Sequence, residues 1–155
     1  MKHARLGAGT ALAVSVLLGA GVAQAPLAGA VSPDSATVAF DCGSYGSGTA
    51  TLTASQNGTA ATITLSTSAI TAPLDIGADS VSSNLTMTNT DGSTVSFTGD
   101  ANPDIPAGSA VSTGPLTGTV AAGDNLSATS LTVTVFGITA TCTATSAQTP
   151  GPFSF

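Results

Sequence analysis

The chain has 155 residues, of which 6% are charged, and its formal net charge is −6 at pH 7. Its basic residues are Lys2 and Arg5 and its one histidine is His3, so aspartates are the only charged side chains after residue 30. Nucleic acid is excluded as a partner of that part of the chain, because neutralising phosphates requires Lys or Arg. Binding to anionic membrane surfaces is disfavoured for the same reason.

The N-terminal segment has the pattern of an export signal. Lys2, His3 and Arg5 precede a stretch of small and apolar residues from Leu6 to Val22. This order is typical of secretory signals, and the stretch is too short and too rich in Gly and Ala for a membrane span. The pattern predicts a cleaved signal peptide, a secreted, extracellular protein and no stable membrane insertion after cleavage. An uncleaved N-terminal anchor is the alternative.

Two positions fit the small-residue pattern that precedes a cleavage site. They lie after Ala25 and after Ala30. Because Pro26 would hinder cleavage at the first position, we expect cleavage at the second, which gives a signal peptide over residues 1–30.

The rest of the chain, about 125 residues, suits one domain. We expect that domain over residues 31–147, followed by a C-terminal tail over residues 148–155. Apolar and polar residues alternate along many short runs, with threonine prominent at the polar positions, and this predicts half-buried strands with one wet face. The apolar residues of these runs are Ala50, Leu52 and Ala54; Ile63 and Leu65; Leu85 and Met87; Val95 and Phe97; and Leu131, Val133 and Val135. The predicted fold is all-β, an immunoglobulin-like antiparallel β-sandwich of about 7–9 short strands.

Turn-forming pairs separate these runs. Asn57-Gly58 and Asp91-Gly92 each lie between two alternating runs, and both residues of such pairs accept positive φ, which favours tight hairpins. At Phe136-Gly137 the alternation changes parity, which fits either a two-residue hairpin or a bulge. One continuous strand there would run about 46 Å, which is long for a small sandwich, so the hairpin is the preferred alternative.

The chain has two cysteines, Cys42 and Cys142. Because an exported chain meets an oxidising compartment, we expect them to form a disulfide. Cys42 shares its parity with the apolar Val38 and Phe40, and Cys142 shares its parity with Ile138. The bridge would therefore join the first and last strands inside the core. Two separate buried thiols are the alternative.

Three segments carry a resemblance to a known group of proteins: Ala39–Cys42 (AFDC), Ile105–Ala110 (IPAGSA) and Ile138–Ala144 (ITATCTA). Together with the N-terminal signal and the Thr- and Val-rich strands, they resemble secreted actinobacterial domains of unknown function. The likeness covers most of residues 31–147. It implies an immunoglobulin-like sandwich with one early and one late cysteine, and it implies no activity, because that group has no established chemistry.

Most catalytic side chains are absent after residue 30. A Ser-His-Asp triad and a Cys-His pair both need a histidine, and zinc sites need His or several Cys. What remains is a pair of aspartates acting as acid and base. We therefore expect no enzyme activity, with an Asp-dependent secreted hydrolase as the alternative.

One polar cluster is a candidate calcium site. Asp100, Asn102 and Asp104 match the opening spacing of a calcium loop and offer hard oxygen ligands. However, Ile105 stands at the position of the turn glycine, and Val111 at that of the bidentate glutamate. The preferred interpretation is an acidic solvated loop, and calcium is the one cofactor that the sequence suggests.

Two aromatic features are candidate contact sites. Tyr45 lies in the Gly/Ser-rich stretch from Gly43 to Gly48, a composition found in binding loops that also suits a plain connecting loop. Phe153 and Phe155 end the chain. They would either form a docking tag or cover an edge of the sandwich.

These observations predict a secreted, non-enzymatic immunoglobulin-like module with a structural or interaction role at or outside the cell surface. Its partner would be an unknown protein or surface component. A carrier of a small apolar ligand, held in a cleft of the sandwich, is one alternative, and the hydrolase is the other. The carrier hypothesis rests on a composition similar to that of apo-proteins of the neocarzinostatin type. Those are also acidic, Thr- and Ser-rich secreted sandwiches, although their second disulfide is missing here.

Overall fold

The computed structural model describes residues 30–155, and the predicted signal peptide, apart from Ala30, lies outside the described residues. The described chain is all-β and its strands pair antiparallel, which confirms the predicted fold class at that level. Its one helical element is a 3₁₀ turn at Gly43–Tyr45. The strands are β1 (Ser35–Asp41), β2 (Ser47–Asn57), β3 (Ala60–Thr71), β4 (Ser82–Asn89), β5 (Thr94–Gly99), β6 (Ala110–Thr119), β7 (Asn125–Val135), β8 (Ile138–Ala144) and β9 (Phe153–Ser154).

Eight of these strands close into a barrel. Around the barrel they follow the order β1-β2-β3-β6-β5-β4-β7-β8, and β8 returns to β1. The short β9 lies outside this ring, against the first two residues of β7. Buried and exposed positions alternate along β1 and β2, as expected where successive side chains point to opposite faces of a sheet.

The barrel is closed unevenly. β1 and β8 pair only at Phe40–Ala144 and Asp41–Thr143, and β5 and β6 pair only at Thr98–Thr117. The other junctions pair over much longer ladders. Two four-stranded faces, β1-β2-β3-β6 (the first face) and β5-β4-β7-β8 (the second face), are therefore joined by two narrow seams.

The two ends of the barrel differ. The β1–β2, β3–β4 and β5–β6 loops and the β7–β8 hairpin meet at one end, which we call the open end. The β2–β3, β4–β5 and β6–β7 turns and the C-terminal tail meet at the other end, which we call the closed end.

The C-terminal tail completes the core at the closed end. Phe153 in β9 is fully buried, and Phe155 packs against Phe97 with the ring centroids 6.4 Å apart. Val31 belongs to the same hydrophobic cluster. Of the two alternatives for the terminal phenylalanines, the structure therefore supports the covering of the barrel and not an exposed docking tag.

The β7–β8 connection is the two-residue hairpin that the sequence favours. Val135 pairs with Ile138, and Phe136 and Gly137 form the turn with φ of 51° and 77°. Two successive positive φ values are typical of a type I′ turn, whose twist matches that of the flanking strands.

At the closed end, the predicted turn between β2 and β3 forms one residue later than expected. Asn57 pairs with Ala60 as the last residue of β2, so the turn residues are Gly58 and Thr59. The expectation that Asn57 takes a positive φ was wrong, and Gly58 alone does so, at 63°. In the β4–β5 turn Gly92 also takes a positive φ, at 88°.

Cys42 and Cys142 form a disulfide, as the sequence predicts. The β1–β8 ladder ends with Asp41 opposite Thr143, so the two cysteines are the next pair in the same register. Cys42 is buried and Cys142 is half-buried. The bridge thus continues the narrow seam between the first and second faces as a covalent bond.

Candidate functional site

An apolar cavity lies between the two faces of the barrel and reaches the open end. Its volume is about 310 Å³, and side chains of both faces line it, among them Val38, Phe40, Leu65, Leu85 and Leu131. For comparison, an engineered apolar cavity of about 150 Å³ in another protein stays dry and binds benzene. The cavity is therefore large enough for a small organic molecule.

The second face leaves this space because several of its inward side chains are small. After Ile138, the cavity-lining residues of β8 are Ala140, Cys142 and Ala144, and β7 contributes Ala128. Protein interiors normally contain few voids larger than a water molecule. The apolar residues of β7 and β8 that line the cavity, such as Leu131 and Val133, pack against the core on one side and are only half-buried.

Four large apolar side chains surround the mouth of the cavity. They are Tyr45, Leu74, Phe136 and Ile138, and their exposed fractions lie between 49% and 65%. No other large hydrophobic side chain in residues 30–155 is exposed. Single exposed apolar residues are ordinary on a protein surface, but a group gathered at one opening indicates contact with an apolar partner. We call these four residues the rim.

Three open-end elements hold the rim in place. Tyr45 ends the 3₁₀ turn that follows Cys42, and Leu74 lies in the β3–β4 loop. Phe136 and Ile138 lie at the tip of the β7–β8 hairpin. The positive φ of Phe136 is unusual for a bulky residue, and conformations of this kind are often found at binding sites.

The cavity wall offers apolar contact and few free polar groups. No charged side chain lines it. The hydroxyl of Thr113, which does line it, is hydrogen-bonded to that of Ser83 at 2.7 Å, and the hydroxyl of Thr67 donates to the carbonyl of Thr49 at 2.8 Å. In the part of the chain that the structure describes, every buried polar side-chain atom has a hydrogen-bond partner. The wall therefore suits a ligand without charge.

The aspartates lie at strand ends and in loops, where most of them bind the backbone. The hydroxyl and the N–H of Ser93 both donate to Oδ1 of Asp91, and these hydrogen bonds lower the pKa of the Asp91 carboxyl below its usual value. Asp91 lies at the closed end, away from the cavity. Five aspartates accept a hydrogen bond from a backbone N–H: Asp41, Asp75, Asp91, Asp104 and Asp124.

The candidate calcium ligands lie in the β5–β6 loop, where two of them bind the neighbouring loop. Asn102 is buried, and its Oδ1 accepts the N–H groups of Ser80 and Val81 at 2.8 and 2.9 Å. Oδ1 of Asp104 accepts another N–H of the β3–β4 loop at 2.8 Å, while Asp100 is exposed. Within residues 30–155, no three His, Cys, Asp or Glu side chains form a metal-binding group. The calcium site stays an alternative to the solvated loop that the sequence favours.

Tyr45 is the one rim residue that the sequence singled out as a candidate contact site. Leu74 was missed, and Phe136 and Ile138 were interpreted only as turn and strand residues. For Phe136 the sequence did contain a sign of a contact role. Type I′ turns favour Asn, Asp and Gly, so a phenylalanine in such a turn is not explained by the turn itself. Leu74 and Ile138 carry no such local signal, since only the closed barrel brings them to one opening.

A scan against protein-family models, a search of the curated proteins and a search of the solved structures found no match to this chain. Within residues 30–155, no helix is long and apolar enough to cross a membrane.

Proposed function

We propose that this domain binds a small, apolar molecule in the cavity at its open end. The observation that carries the proposal is that all four exposed large hydrophobic side chains of the described chain surround one apolar cavity. Small-molecule sites are concave, mostly apolar pockets that begin at volumes of about 300 Å³. Of the functions that the sequence leaves open, the geometry favours the carrier of a small apolar ligand.

The size of the cavity limits the ligand and its affinity. Each buried CH₂ group contributes about 0.8 kcal/mol, so ten buried carbon atoms contribute roughly 8 kcal/mol before the cost of association. That corresponds to a dissociation constant that is micromolar at best for a ligand held inside the cavity alone. A larger ligand would gain further contact from the rim.

We further propose that the barrel is a flattened immunoglobulin-like sandwich. β3 pairs with β6 and β4 pairs with β7, so the neighbouring strands β3 and β4 lie on opposite faces, as in Greek-key sandwiches. The two narrow seams support the same interpretation. The resemblance to secreted actinobacterial domains implies it as well.

We propose that the protein is exported, and the disulfide supports this, because disulfides persist in oxidising compartments. The broader expectation of a structural or interaction role stays a prediction, and so does the absence of enzyme activity.

A pair of adjacent substitutions on β8 tests the binding site. Ala140 lines the cavity, whereas Thr141 is exposed on the outer face of the same strand. We expect Ala140→Phe to occupy the cavity with a benzyl group and Thr141→Phe to leave it unchanged. The probe is the neutral fluorophore N-phenyl-naphthylamine, whose emission rises in apolar surroundings.

Wild type and Thr141→Phe should bind the probe saturably, and Ala140→Phe should bind it at least about tenfold more weakly. Tyr45 is the only tyrosine in a chain without tryptophan, so quenching of its emission by a bound ligand reports directly on the rim. The proposal would be contradicted if the wild type showed no saturable binding of the probe, or if Ala140→Phe and Thr141→Phe bound it equally. Native mass spectrometry of protein from the producing culture would then identify the natural ligand, expected at roughly a few hundred daltons.

A further inference from the structure

We infer that the open end accepts neutral or cationic apolar ligands and rejects anionic ones such as carboxylates and sulfonates. This inference rests on the proposed function, because it assigns the ligand class of the same cavity. Residues 31–155 contain no Lys, Arg or His to balance the aspartates. Five of the eight aspartates belong to the open end: Asp41, Asp75, Asp79, Asp100 and Asp104.

Two of these carboxylates are held close to the cavity-lining chain. Asp41 lies in sequence between two cavity-lining residues, and so does Asp75. Both side chains are exposed, and Oδ1 of each accepts a backbone N–H at 2.8 Å, from Gly43 and Ala107 respectively. These hydrogen bonds hold both carboxylates at the open end.

The cavity offers no interaction that would compensate a bound anion for the loss of its hydration. A charged group that leaves water needs a partner of opposite charge or several hydrogen-bond donors, and the wall supplies neither a charged side chain nor an unpaired buried side-chain donor. Two unit charges about 10 Å from a bound anion weaken its binding about fourfold in water. The low-dielectric walls of a cleft strengthen this effect. For a cationic group at the rim, the sign of the effect is reversed.

Two probes with the same aromatic body separate charge from hydrophobic contact. N-phenyl-naphthylamine is neutral, and anilinonaphthalene sulfonate carries one sulfonate on the same two-ring and phenyl framework. At low ionic strength we expect the wild-type protein to bind the neutral probe at least about tenfold more tightly. Added salt should narrow this affinity ratio, because at 0.1 M it largely screens exposed charges that are more than about 10 Å apart.

Matched charge-removing variants assign the effect to the open end. In Asp41→Asn/Asp75→Asn the amide oxygens can still accept the two backbone hydrogen bonds, while two charges are lost. We expect this variant to bind the sulfonated probe about fourfold more tightly than wild type, with the neutral probe unchanged. Asp34→Asn/Asp91→Asn removes two charges at the closed end and should change neither affinity appreciably.

The outcomes distinguish the inference from the function on which it rests. If both probes bind the wild type equally at low ionic strength, or if the closed-end variant strengthens sulfonate binding as much as the open-end variant, the charge selection is wrong while the cavity remains a binding site. If neither probe binds, the proposed function fails first. Displacement of the neutral probe by decanol and decylammonium, but not by decanoate, would extend the support from aromatic to aliphatic ligands.

Discussion

Asn102 is a buried polar residue that joins two loops of the open end. Its Oδ1 accepts the N–H groups of Ser80 and Val81, and its Nδ2 donates to the carbonyls of Gly77 and Pro103 at 2.9 and 2.7 Å. The amide thus uses both of its ends to connect the β3–β4 and β5–β6 loops. The spacing that predicts a calcium loop has here a second explanation, since the central residue of the motif is occupied with loop-to-loop hydrogen bonds.

We expect Asn102→Ala to lower the free energy of unfolding by about 3 kcal/mol, because it leaves buried backbone groups without partners at a cost of about 1–3 kcal/mol each. Urea denaturation monitored by circular dichroism measures this change. Asn84→Ala is the matched control, since Asn84 is exposed on β4, and it should cost no more than about 0.5 kcal/mol. Similar costs for both substitutions would contradict the bridging role.

Repeating the urea denaturation curves of the wild type in millimolar calcium tests the calcium hypothesis, because an ion that binds only the native state raises its stability.

The β7–β8 hairpin combines a favourable turn position with an unfavourable residue. Phe136 takes a left-handed φ of 51°, which costs a residue other than glycine roughly 1–2 kcal/mol. Phe136 is 65% exposed and therefore regains little of this free energy by burial. A large exposed ring in a strained turn makes sense if the ring contacts a ligand at the rim.

Phe136→Asn separates the stability of this hairpin from its proposed function. Asn-Gly is the preferred pair for a type I′ turn, so the variant should gain about 1 kcal/mol in free energy of unfolding. It should lose about fivefold in affinity for the neutral probe, the equivalent of about 40 Å² of apolar contact. Thermal melts and probe titration measure the two effects. Thr59→Asn, in the β2–β3 turn at the closed end, should leave probe binding unchanged. Unchanged binding by Phe136→Asn would exclude the ring from the site.

Strands and turns were predictable from the sequence because they depend on near neighbours. Gly58 and Gly137 each set a local turn, and the threonine alternation marks each strand separately. The closure of the barrel was not predictable, because every strand carries the same alternation and none identifies its partner across the fold. The cavity follows from that closure: Ala140 is merely a small inward residue until the first face is placed opposite it. The tail was ambiguous because Phe155 has the same apolar character whether it covers a core or docks elsewhere.

At the scale of the whole molecule, folding relies on apolar burial, hydrogen bonds and one covalent link, because residues 31–155 contain no Lys, Arg or His side chain to form an ion pair with an aspartate. The negative charges of the aspartates repel one another, which destabilises the compact state. The disulfide reinforces one of the two narrow seams of the barrel, since β1 and β8 share only two paired positions. Cys42 and Cys142 also line the cavity, so the same bond closes the barrel and forms part of the site.

We expect Cys42→Ala/Cys142→Ala to lower the free energy of unfolding by about 4–5 kcal/mol, because the bridge closes a loop between cysteines 100 residues apart and so restricts the unfolded chain. Urea denaturation of the oxidised wild type, the reduced wild type and the double variant measures the difference. Reductant should bring the wild type to the midpoint of the variant and leave the variant itself unchanged. A difference below about 1 kcal/mol would mean that the seam holds without its covalent link. Titration with the neutral probe tests whether the seam also shapes the cavity wall. If it does, the double variant should bind the probe more weakly than wild type. This difference should be present even at urea concentrations where the circular dichroism of the variant is still native.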